Sequence, residues 1–161
     1  MIEVPELWAF QQAAATCRCH RQALEEALSD LDQRALTAAD LDKLGKDDRR
    51  LLDQFAYRYT RLQDDMGNRL MPAALRAMGE EIASLSMLDR LDRLEQLGWV
   101  PASDEWMDLR RIRNEFTHEY PESAQERFER LQLAIKSAHR ILELFAGIDD
   151  KIRTQISESP E

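Results

Sequence analysis

Apolar residues recur at alternating three- and four-residue spacing along most of the chain. Leu7, Phe10, Ala14, Cys17, Leu24, Leu28 and Leu31 form one seam, interrupted by the charge of Arg21, and Pro5 ahead of it suits a first helical turn. Thr37 and Asp40 read as a capping box that opens a short turn, which Gly45 closes. A second stripe of Leu52, Phe55, Tyr59, Leu62 and Met66 predicts a helix from near Asp47, and Pro72 should kink or end it. Ser86 can cap a short helix through Leu97, with Gly98 as its stop. Ser103 is expected to cap a further helix to about His118, ended by Pro121. Ser123 and Glu126 form another capping box before a last helix with Phe128, Leu131, Ile135, Ala138, Leu142 and Phe145 facing inward, its tail fraying from about Thr154. The pattern predicts an all-α fold: an antiparallel four-helix bundle with a short additional helix, one domain over residues 1–161.

Composition narrows this further. Val occurs only at positions 4 and 100, and 5 Gly and 5 Pro are too few for the turns of a β-rich fold, which excludes all-β and doubly wound architectures. A chain of 161 residues buries roughly 68–70% of its unfolded surface and needs no disulfide or metal to fold. No run of about 18 apolar residues exists to span a membrane, and the first ten residues lack a signal-peptide pattern. Cys17 and Cys19 stand too close to pair within one helix, so a reducing cytoplasm is expected. On a helix they point roughly 200° apart, so with His20 they make no zinc site. No metal and no cofactor is expected. The net charge of −9 disfavours broad adhesion to nucleic acid, so any such chemistry needs a local site.

The segment from Leu109 to Pro121, LRRIRNEFTHEYP, offers one. Trp106, Leu109, Ile112 and Phe116 share a helical face that should dock on the bundle. Arg113 with Thr117, and Asn114 with His118, form polar columns beside it. Arg113 and His118 stand about 7.5 Å apart along the axis and about 140° around it. They do not stack, but both can border a cleft made with another helix or a second subunit. An arginine fork can hold a phosphate while a histidine moves a proton, which suffices for phosphoryl transfer without a metal. The plainer alternative pairs Arg113 with a local glutamate and leaves His118 as an ordinary helix-end residue.

This segment resembles the signature of the HEPN superfamily, an arginine and a polar residue followed by histidine. More narrowly, Arg113, Asn114, His118 and Tyr120 match the R-x(4)-H-x-Y pattern of HepT-like toxins. The resemblance implies a metal-independent endoribonuclease toxin acting as a homodimer, with the two motifs meeting across the subunit interface. Arg113 and Asn114 would bind the scissile phosphate and His118 would act as general acid or base, leaving a 2′,3′-cyclic phosphate. It also implies a minimal nucleotidyltransferase (MNT) as antitoxin, which transfers AMP to Tyr120. Proteins resembling this one are also described as non-catalytic substrate-binding subunits of a nucleotidyltransferase, and that alternative stands. Tyr120 can equally be a packing residue before Pro121.

Arg110 and Arg111 add local positive charge that could contact RNA, or they could pair with Asp108 and Glu115 on a solvated face. Arg58, Arg61, Asp64, Asp65 and Asn68 lie at helical spacing on the second helix, where some could orient the Arg/His pair. Trp8, Trp99, Trp106 and the seam break at Arg21 are compatible with a dimer interface.

Overall fold

A computed structural model describes residues 4–118 and 123–157. Among them every regular element is helical: α1 (Val4–Arg34), α2 (Ala38–Asp42), α3 (Lys46–Asp65), a π-turn (Met66–Leu70), α4 (Met71–Ala77), α5 (Met87–Gln96), α6 (Ser103–His118) and α7 (Ala124–Ser157). The chain is an all-α bundle of four long stretches, because α3, the π-turn and α4 follow without a break. No helix among the described residues is long and apolar enough to cross a membrane.

Cross-helix pairs fix the directions. Arg34 meets Asp48 and His20 meets Asp65, so α1 and α3 run antiparallel. Asp64 meets Arg113 while Tyr59 packs on Phe116, which sets α3 against α6 in the same sense. Glu105 with Arg140 and Glu115 with Arg130 do so for α6 and α7.

The helix ends follow local chemistry, with four departures from the sequence reading. The Thr37–Asp40 capping box forms in full, Ser86 Oγ accepts from the Asp89 amide, and Ser123 Oγ accepts from the Glu126 amide. Gly98 ends the α5 region at φ +77, a conformation glycine adopts without strain. Gly45, however, closes nothing: at φ −71 it is the residue that opens α3. Ser103 caps no helix, since it is buried in the first turn of α6 and its hydroxyl donates to Asp92 Oδ1 at 2.6 Å. Pro72 does not stop its helix. The preceding turn is π-helical, with the Met71 amide bonded to the Met66 carbonyl, and this wider turn carries the backbone past the proline ring. α7 continues to Ser157 rather than fraying at Thr154. Pro121 lies outside the described residues.

The core joins α1, α3, α4, α6 and α7 through Phe10, Leu24, Phe55, Tyr59, Leu75, Trp106, Ile141 and Phe145, all buried. Phe55 and Tyr59 stack at 5.6 Å, and the ring of Phe116 meets both edge-on at 5.9 and 5.8 Å. The Tyr59 hydroxyl donates to Ser137 Oγ at 3.0 Å, which satisfies its polar end inside the core. Arg21 is an internal partner and not an interface signal. Buried Asp149 lies 2.6 Å from Arg18, 3.3 Å from Arg21 and 3.2 Å from Arg153. Burial works against its charge, yet the arginines hold its carboxyl below the ordinary value. Of the three tryptophans only Trp8 is exposed. Trp99 packs edge-on against Phe10 and Trp106 is buried, so neither is available to a partner.

Candidate functional site

α6 is seated at two points. Near its start, buried Trp106 lies against the π-turn at Gly67, where a Cβ would stand 3.2 Å from Trp106 Cζ2. Near its end, Phe116 enters the Phe55–Tyr59 pair. The period of 3.6 then turns Asn114 and His118 to the surface and leaves Arg113 at the edge of the core.

Arg113 is held on several sides. Its Nη2 donates to Asp64 Oδ2 at 2.6 Å, and its Nη1 donates to Asn114 Oδ1 and Thr117 Oγ1, each at 3.2 Å. Thr117 Oγ1 in turn donates to the Arg113 carbonyl at 3.1 Å. The guanidinium is therefore fixed in one orientation, a charge-assisted arrangement stronger than neutral hydrogen bonds. Its Nε is buried without a partner among the described residues. Of the acidic residues expected near the motif, Asp64 provides the orienting contact. Asp65 points instead to His20.

Two adjoining clefts flank the motif. A depression of about 410 Å³ is lined by Met107, Arg110, Arg111, Asn114, Glu115 and His118, all from α6 among the described residues. A smaller cleft of about 150 Å³ lies between α6 and the turn ending α3, with Gln63, Asp64, Gly67, Asn68, Trp106, Arg110, Arg113 and Asn114 among its walls. Arg110 and Asn114 belong to both. The structure thus brings Arg113 and Asn114 together but places His118 in the neighbouring cleft. Arg111 pairs with Glu115 at 3.1 Å, the plain surface pairing. Arg110 contacts the sulfur of Met87. Tyr120 lies outside the described residues.

Two features escaped the sequence reading. Gln63 is 2% exposed, and neither amide atom has a partner among the described residues. Its position four residues after Tyr59 and three before Met66, inside the apolar stripe, was the available signal. His20 is the other, three residues after Cys17 in the α1 seam. Arg58 Nη1 lies 3.0 Å from His20 Nδ1, and a guanidinium can only donate, so Nδ1 accepts and the ring proton sits on Nε2, 3.2 Å from Asp65 Oδ2. Burial, aided by Arg58 and Arg61, holds His20 below the ordinary histidine range against the pull of Asp65. Burial, with Asp65 near, pushes the Cys17 thiol up to about 12, while Cys19 is exposed.

The His20 arrangement gives a pH prediction. A lowered folded-state pKa means that below the ordinary value of 6.5 the unfolded chain takes up a proton that the folded chain resists. Stability should hold above that pH and fall as pH drops from 6.5 toward the folded-state value. Asp149 acts in the same direction only below its ordinary 3.8. Melting temperatures at pH 7.5 and 5.5 should differ for the unmutated protein and converge for His20→Gln. An equal drop in both proteins would remove His20 as the cause.

Comparison with family models, with curated proteins and with solved structures finds no match to this chain.

Proposed function

We propose that the chain is a metal-independent endoribonuclease of the HEPN kind, the toxin of a toxin–antitoxin pair. The observation that carries this reading is the held guanidinium of Arg113, 2.6 Å from Asp64 and one residue from Asn114, with the exposed His118 on the same helix in the adjoining depression. In the proposed reaction a ribose 2′-oxygen bonds to phosphorus as the 5′-oxygen departs. One proton leaves the 2′-hydroxyl for a base and one reaches the 5′-oxygen from an acid, and His118 serves as one of the two. Arg113 and Asn114 stabilise the charge developing on the phosphoryl oxygens, with Arg110 and Arg111 along the RNA backbone.

A homodimer fits this reading. The His118 depression draws all its described walls from α6, so a second copy could supply the missing one and bring a second motif opposite the first. The proposed antitoxin is a nucleotidyltransferase that adds AMP, with its negative charge and bulk, to Tyr120.

A second reading is a non-catalytic substrate-binding subunit of a nucleotidyltransferase. It is favoured by the net charge of −9 and by the pairing of Arg113 and Arg111 with carboxylates already in the chain. The deciding experiment is RNA cleavage in EDTA, after intact mass has shown whether Tyr120 carries AMP. Cleavage that persists in EDTA and leaves cyclic phosphate ends is the expected result. Inactivity of protein of unmodified mass would transfer the assignment to the binding subunit. Sedimentation at micromolar concentration should give a dimer, and a monomer would remove the composite site.

A further inference from the structure

The smaller cleft, which Arg113 also lines, holds a side chain that a phosphate alone would not satisfy. At its α3 wall lies Gln63, buried with both amide atoms unpartnered among the described residues. A folded protein seldom leaves a buried amide wholly unsatisfied, because the loss of its hydration is not recovered. A carboxamide presents one donor and one acceptor side by side, the complement of the donor–acceptor edge of a nucleobase. Trp106 adds an aromatic wall, and the absence of a side chain at Gly67 lets the π-turn lie close to that indole.

Size narrows the ligand. The cleft measures about 150 Å³, and a cavity of roughly that volume accommodates one benzene-sized ring. A six-membered ring matches that volume more closely than a fused purine does. Because Arg110 and Asn114 also line the His118 depression, a base seated here would lay its sugar and phosphate along α6 beside Arg113.

We propose that this cleft is a recognition subsite for one pyrimidine base of the RNA, with Gln63 as the residue that reads it. This rests on the ribonuclease reading for its substrate, but its test is binding and not cleavage. The probes are the 3′-monophosphates of uridine, cytidine, adenosine and guanosine, measured by calorimetry against the full chain. The pyrimidine nucleotides should bind at least about tenfold more tightly than the purines, the low end of what a two-point amide–base contact provides. Gln63→Leu removes both amide atoms at similar volume. It should melt no lower than the unmutated protein and bind the pyrimidine nucleotides at least about tenfold more weakly. Gln63→Met, unbranched and closer in shape, serves the same purpose if leucine disturbs the packing.

Equal binding of purines and pyrimidines by the unmutated protein would overturn the proposal. So would pyrimidine binding as tight in Gln63→Leu and Gln63→Met as in the unmutated protein, or no binding of any probe at millimolar concentration. The two readings fail separately. RNA cleavage without a Gln63-dependent preference leaves the nuclease and removes the subsite. A Gln63-dependent preference in a protein that cuts no RNA leaves the subsite and removes the nuclease.

Discussion

RNA cleavage by His118→Ala is expected to fall about 10²–10⁴-fold with the fold unchanged, the usual loss when a positioned acid–base group is removed. The substitution is clean because His118 is exposed at the last residue of α6, and exposed positions of this kind change stability by roughly 0.5 kcal/mol or less. Arg113→Ala should also abolish cleavage, but it disturbs more. It strips Asp64 of its partner, removes one donor to Thr117 Oγ1 and takes away a side chain only 16% exposed. Arg113→Lys retains the charge yet loses the planar fork that reaches Asp64, Asn114 and Thr117 together, so it should rescue stability better than activity. Single-turnover cleavage of a labelled RNA, with circular dichroism on the same samples, separates these effects. Cleavage by His118→Ala at the unmutated rate would end the acid–base assignment.

The second large effect is structural. Phe55→Ala should destabilise the chain by about 3–5 kcal/mol, the usual cost of truncating a fully buried phenylalanine, which lowers the melting temperature by roughly 6–20 °C for a domain of this size. Phe55 has no exposed surface, stacks on Tyr59 and meets the edge of Phe116. Its removal leaves a cavity at the point where the end of α6 is seated. Cleavage measured well below the new melting temperature should therefore also drop, because Phe116 fixes the position of Arg113 three residues earlier. A thermal melt paired with an activity assay at low temperature checks both parts. A shift of less than about 2 °C would show that the aromatic cluster contributes little to holding α6.

The long helices were legible from spacing because an apolar residue every three or four positions has one stable use, a helix with a buried face. Side-chain caps whose partners lie three residues away, at Thr37, Ser86 and Ser123, were equally legible, since donor and acceptor are both local. Ser103 departed from its expected role because Asp92, 11 residues earlier on another helix, offered a stronger acceptor. Pro72 does not end its helix because the π-turn before it makes room for the ring. Trp106 lies on the docking face that its spacing predicted, whereas the burial of Trp99 depends on Phe10, far away in the chain.

The candidate site divides in the same way. The sequence by itself determined that Arg113 and Asn114 are neighbours and that His118 lies about 140° around the same helix, because helical geometry fixes both. Only the tertiary structure decided that Asp64 and not Asp65 orients Arg113, that Arg113 and His118 open into different clefts, and that Gln63 lies unpartnered under the motif. Those outcomes depend on how α3 and α6 rotate against each other, and that rotation is set by Trp106 on Gly67 and Phe116 on Phe55 and Tyr59. A periodic pattern specifies which face of a helix is buried. It does not specify which polar residues at the edges of two buried faces will meet.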